Sequence, residues 1–86
     1  MSRKGSQPKN PNDVYSFKKN AEETVRVTLT EFKGHKLLDV RVYVEDRDGR
    51  QIATRKGLAL SRDLAGELFE ALKLAVEMIE GGYGEP

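Results

Sequence analysis

The chain has no cysteine and no tryptophan, and a single histidine in 86 residues. Without cysteine it can form neither disulfides nor thiolate metal sites. The lone His35 has no second histidine with which to hold a metal, and no serine or cysteine is placed for it to activate. No metal, no cofactor and no enzymatic activity are therefore expected. Long apolar runs are missing too. Nothing approaches the roughly 20 residues that a bilayer crossing needs, and the opening Met-Ser-Arg-Lys-Gly lacks the apolar stretch of a secretion signal. A cytoplasmic protein with neither membrane nor small-molecule substrate among its partners is the expectation. A chain this short has room for one domain and buries a modest share of its surface, which makes self-association expected as well.

Net charge is only +1, but its distribution is uneven. Residues 1–23 carry +2, residues 24–60 carry +3 and residues 61–86 carry −4. A basic front and middle followed by an acidic end suits a protein with one face toward an anion and another toward water or a twin. Residues 1–13 hold no large apolar side chain before Val14 and read as a flexible basic arm. Val14, Tyr15 and Phe17 then suggest a short strand.

Residues 24–31 alternate Val25, Val27 and Leu29 with Arg26, Thr28 and Thr30, the period of a half-buried strand. Phe32-Lys33-Gly34 supplies a tight reversal, with Gly34 free to take positive φ. A second strand over 36–45 turns Leu38, Val40, Val42 and Val44 one way and Leu37, Asp39, Arg41 and Tyr43 the other. Asp48-Gly49 fits a primed hairpin turn, and third and fourth strands are expected over 50–54 and 57–60. Ser61 reads as a helix N-cap and Gly81-Gly82 as the stop, giving a helix over 62–80 and a frayed tail over 81–86. Gly81-Gly82-Tyr83-Gly84 follows this helix and does not open one, so it is not a phosphate loop. The helix carries a broad apolar stripe that one small sheet could cover. Ala71, Leu74 and Met78 form a shoulder beyond it, suited to antiparallel pairing with a second copy. The fold class is α+β: a four-stranded twisted antiparallel sheet followed by one C-terminal helix, dimeric through the helices.

The basic residues carry the functional signal. Arg41 stands two residues before Tyr43 on the polar face of its strand, Arg55-Lys56 precede Gly57, where a backbone can approach closely, and Phe32 and Lys33 sit at the first turn. Cations beside exposed rings on a sheet suit single-stranded nucleic acid, with Lys and Arg along the phosphates and bases stacked on the rings. Each residue also has a structural reading: Phe32 as a plug for the hairpin end, Tyr43 packed on a neighbouring strand, Arg41 paired with Asp39, and His35 as a solvated turn residue.

Phe32-Lys33-Gly34, Asp39-Val40-Arg41-Val42-Tyr43 and Arg55-Lys56-Gly57-Leu58-Ala59-Leu60, at these spacings, resemble the core of the transcriptional positive cofactor four family over residues 24–80. That resemblance implies a homodimer made through the helices, whose curved sheets bind single-stranded or locally unwound DNA with little sequence preference. Carried over by position, the nucleic-acid contacts fall on Phe32, Lys33, Arg41, Arg55 and Lys56, with His35 and Lys36 near a further basic position. Tyr43 joins them as a stacking ring. Two positions depart from the eukaryotic pattern: Val44 stands where those members have a tryptophan, and Thr30 where they have an arginine. Single-stranded RNA is a variant of the same reading, because stacking platforms rarely distinguish sugars without a contact to the 2′-hydroxyl. A protein-interaction module using the helix shoulder and a sheet edge is the alternative from a different class. The location expected is the nucleoid in a bacterial or viral setting and the nucleus in a eukaryotic one.

Overall fold

The computed structural model describes residues 12–82; the rest of the expected basic arm and of the expected tail lies outside them. The elements run β1 (Asp13–Lys18), β2 (Glu23–Phe32), β3 (His35–Glu45), β4 (Gln51–Ser61), a 3-10 turn (Arg62–Leu64) and α1 (Ala65–Glu80). The strands form one antiparallel meander in the order β1-β2-β3-β4. The count of four matches the sequence reading, but the strands are divided differently. The short segment around Val14 to Phe17 is β1, and the two strands expected over 50–54 and 57–60 are a single strand, β4.

What joins those two pieces is a bulge. Tyr43 pairs with Ala53 and Arg41 with Gly57, so Thr54, Arg55 and Lys56 all stand against Val42. Thr54 organises the excursion: its hydroxyl donates to the Val42 carbonyl at 2.7 Å and accepts from the Lys56 amide at 3.2 Å. Gly57 ends it with a φ of +144°. A Cβ there would land on the Val40 carbonyl oxygen and 2.7 Å from the Arg41 Cα. The close approach expected at this glycine is thus made by the neighbouring strand of the same chain.

The β2–β3 reversal is a two-residue turn between Phe32 and His35, with Lys33 at φ +51° and Gly34 at φ +81°. Positive φ at both central positions marks type I′, whose twist matches that of the strands. The β3–β4 connection differs from the expected primed turn. Among its residues only Gly49 has positive φ, and the Gly49 amide donates to the Asp46 carbonyl while the Asp46 amide donates to that of Arg50. This is a type I turn closed by a left-handed glycine. The Asp46 carboxylate accepts from the amides of Asp48 and Arg50, which fixes the loop.

The turn at Lys33-Gly34 sets the register, and register sets the faces. One face carries Tyr15, Phe17, Val25, Val27, Leu29, Leu38, Val40, Val42, Ile52, Leu58 and Leu60; the other carries Asp13, Arg26, Thr28, Phe32, His35, Asp39, Arg41 and Tyr43. Strand alternation thus separates an apolar side from a polar one.

The helix begins later than the sequence suggests. Ser61 caps the 3-10 turn, its hydroxyl accepting from the Asp63 amide, and α1 itself starts at Ala65. Arg62 locks this junction by donating to the carbonyls of Leu37 and Thr30. Beyond Leu68 the helix stands clear of its own sheet: every side chain from Phe69 to Glu80 is exposed. The sheet therefore does not cover the helix stripe as expected, and the far part of α1 leaves its apolar side chains to solvent. Among the described residues no hydrophobic side chain is fully buried, and Leu72, Leu74, Met78 and Ile79 stand open to solvent. Burial of such a side chain is worth about 1.5 to 3 kcal/mol. One chain alone therefore leaves part of its hydrophobic stabilisation unrealised.

Candidate nucleic-acid interface

The polar side of the sheet presents two groups of the residues singled out above. The first lies at the β2–β3 turn. Phe32 is 62% exposed, and the Lys33 ammonium sits 5.3 Å from its ring centroid. With its ring in solvent, Phe32 does not plug the core. His35 pairs with Phe32 across the turn and shares its face. Lys36 is exposed but pairs with Glu31, which by strand alternation puts it on the opposite face from Phe32 and Arg41.

The second group lies about 20 to 26 Å further along β3, six to eight residues from His35 at roughly 3.3 Å each. Arg41 and Tyr43 project there from the same face. Arg41 is not a free cation. Its Nε and Nη2 donate to the Asp39 carboxylate, at 2.8 Å for the shortest contact, and its Nη1 donates to the Thr54 carbonyl at 3.1 Å. The bonds to Asp39 raise the guanidinium pKa above its ordinary value, and the side chain links β3 to the bulge. The structural reading of Arg41 as the partner of Asp39 therefore holds. So does the reading of Tyr43 as packed on a neighbouring strand: the Arg26 guanidinium of β2 lies 4.3 Å from its ring centroid.

Arg26 is the residue that sequence reading passed over. It lies directly opposite Arg41 in the β2–β3 register, and its Nη2 donates to both carboxylate oxygens of Asp13 at 3.0 and 2.9 Å. Two like charges facing each other across strands repel. Each is offset here by its own aspartate, Asp13 on β1 and Asp39 on β3. The signal was present in the sequence: a two-residue turn at Lys33-Gly34 pairs residue 26 with residue 41 by counting back from it.

Arg55 and Lys56 are exposed on the bulge. Lys56 reaches Glu23, with its ammonium 3.2 Å from the carboxylate. Hydrogen bonds from Asn20, Lys19 and Lys56 hold the Glu23 carboxyl down at about 2, well below its ordinary range, so this group is anionic at any physiological pH. Asn20 also accepts from the Glu22 and Glu23 amides, which shapes the β1–β2 loop around the same carboxylate. Val44, in the position of the absent tryptophan, pairs with Glu23 and Ile52 on the side opposite Tyr43.

The sequence profile of the family described as Transcriptional Coactivator p15 (PC4) matches residues 19–71, which include both groups and the bulge. The chain belongs to the PC4 family. Among solved structures it is similar to a PC4 homolog from Burkholderia pseudomallei K96243. The orthorhombic crystal form superposes with a TM-score of 0.71 at 28% identity, over 83% of this chain and 96% of that one. The tetragonal form gives 0.69 at 28% identity, over 84% and 97%. No curated protein sequence matches. The matched residues span β2, β3, β4 and the Lys33-Gly34 turn between β2 and β3. No helix among the described residues is long and apolar enough to cross a membrane.

Proposed function

We propose that this PC4-family chain binds single-stranded DNA with little sequence preference, as a homodimer, in the manner of a transcription cofactor or a replication or repair accessory protein. The observation that carries this reading is the exposed Phe32 ring with Lys33 above it, on the same sheet face as Arg26, Arg41 and Tyr43. Splayed bases stack on exposed rings without regard to sequence, at about 1 to 3 kcal/mol per base, while flanking cations follow the phosphates. In this reading Phe32 takes a base and Lys33, Arg55 and Lys56 hold phosphates. Asp39 orients Arg41 and does not itself meet the anion, because a carboxylate repels phosphate.

The homodimer reading draws on the uncovered apolar surfaces. Ala71, Leu74 and Met78 stand exposed on a helix that its own sheet does not cover, and the apolar sheet side is also open. A second copy satisfies both needs with identical chemistry. The acidic residues Glu70, Glu77 and Glu80 of α1 then keep nucleic acid on the cationic side.

Salt titration separates stacking from charge. Phe32→Ala is expected to weaken binding of an oligonucleotide about 5- to 100-fold, with the dependence of log K on log salt unchanged. Lys56→Ala is expected to make that slope less negative by up to about 0.7, the share of one phosphate on a single strand. Fluorescence anisotropy across a salt series measures both. If both variants bind as the parent does, these residues are not the site.

A further inference from the structure

Three strands converge on one cation–π contact. Asp13 on β1 holds the Arg26 guanidinium of β2 through a single nitrogen that donates to both carboxylate oxygens, at 3.0 and 2.9 Å. Arg26 in turn lies over the Tyr43 ring of β3, with 4.3 Å between the guanidinium carbon and the ring centroid. The geometry follows from register: Thr24 pairs with Tyr43 and Arg26 with Arg41, so Arg26 and Tyr43 are diagonal neighbours on one face. About a fifth of the Arg26 side chain remains in solvent.

The charges here cancel. Arg26 is offset by Asp13, and Arg41 by Asp39. A guanidinium engaged by a carboxylate and with only about a fifth of its side chain in solvent, unlike the 67% exposed Lys56, is a weak ligand for a second anion, so the middle of this face is poorly suited to holding phosphate. What it offers is a flat, delocalised surface fixed in orientation from both sides. Bases stack on guanidinium planes as they do on aromatic rings. The ion pair to Asp13, with side chains only 21% and 11% exposed, and the cation–π contact with Tyr43 together hold the guanidinium in place over the ring.

We propose that Arg26, anchored by Asp13 and backed by Tyr43, is a composite stacking platform for one base of a single strand. It is the second platform on the face, six residues and about 20 Å from Phe32 along β2. The inference rests on the single-strand reading above and sharpens it: the Tyr43 ring does not meet the base directly, and the guanidinium of Arg26 does. Cations at the periphery, Lys33, Arg55 and Lys56, hold phosphates, while the charge-balanced centre holds a base.

The test uses the full chain and oligothymidylates in which a single abasic site is moved along the strand. On the parent protein, two separated abasic positions are expected to cost affinity, one for each platform. Arg26→Lys keeps the charge and removes the plane. It is expected to weaken binding of the intact oligonucleotide about 5- to 100-fold, to leave the salt slope unchanged, and to abolish one of the two abasic penalties while sparing the other. A merely structural role for Arg26 would lower the melting temperature and leave both penalties in place. Where Arg26→Lys does not fold, Asp13→Asn serves instead, since loosening the anchor is expected to reduce that same penalty. A folded variant of either kind that retains both penalties overturns the platform but leaves single-strand binding intact. A parent protein that binds no oligonucleotide overturns the binding reading itself.

Discussion

Gly57→Ala is expected to destabilise the domain by about 3 kcal/mol or more, the sum of a strained backbone and an overpacked contact. Gly57 holds φ at +144°, a region that side-chain-bearing residues rarely enter. Space is denied as well, because the added carbon would meet the Val40 carbonyl and the Arg41 Cα, both of them backbone in the middle of the sheet. Neither obstacle relaxes by a rotamer change. The damage also reaches the candidate site, since the bulge that Gly57 closes carries Arg55 and Lys56 and supplies the Thr54 carbonyl that receives Arg41. For a domain of this size the shift corresponds to a melting temperature lower by about 10 °C or more. Thermal unfolding followed by circular dichroism measures it. A variant melting within about 2 °C of the parent would mean that β3 and β4 do not approach as closely as described.

Leu74→Glu is expected to convert the proposed dimer to monomer. Leu74 is 57% exposed in the single chain, on a helix whose side chains from Phe69 to Glu80 are all exposed. If the helix pairs with that of a second copy, the substitution acts twice, once in each subunit. Each copy loses the burial of one leucine, about 1.5 to 3 kcal/mol, and places a carboxylate against an apolar surface besides. Weakening of the dimer by a factor on the order of 1000 follows from these terms together. The monomer, left without a closed core, is expected to unfold at lower denaturant concentration. Sedimentation velocity of parent and variant at equal concentration decides the matter. A parent that sediments as a monomer, or a variant that stays dimeric, places the apolar contact elsewhere.

Sequence alone revealed more of the faces than of the joints. The alternation of Val25, Val27 and Leu29 with Arg26, Thr28 and Thr30 is enforced by the pleat, so the polar and apolar sides could be read directly. Phe32-Lys33-Gly34 gave the first turn because Gly34 takes positive φ without strain, whereas the positive φ of Lys33 carried no signal in the sequence. The bulge was harder. Opposing Thr54, Arg55 and Lys56 to Val42 alone breaks the period of two, and a broken period reads as the end of one strand and the start of another. The packing of α1 could not be read at all, since an apolar stripe says that a surface is covered and not by what. In the candidate site, Phe32 and Lys33 are exposed where a contact with nucleic acid needs them, while Arg41 and Tyr43 are already engaged by Asp39 and Arg26. Those engagements depend on cross-strand neighbours and emerge only when register is counted residue by residue. Lys36, one position out of phase with His35, lies on the face opposite Arg41 by the alternation of β3 itself.

The central claim is that a ring-bearing, cationic sheet face takes up unpaired nucleic acid. Titrating fluorescent single-stranded and duplex oligonucleotides of the same length and sequence into the parent protein across a salt series tests it most directly. Tighter binding of the single strand is expected, with log K falling linearly as log salt rises by roughly 0.7 per phosphate held. Equal affinity for the duplex, or no binding of either oligonucleotide at low salt, would contradict it.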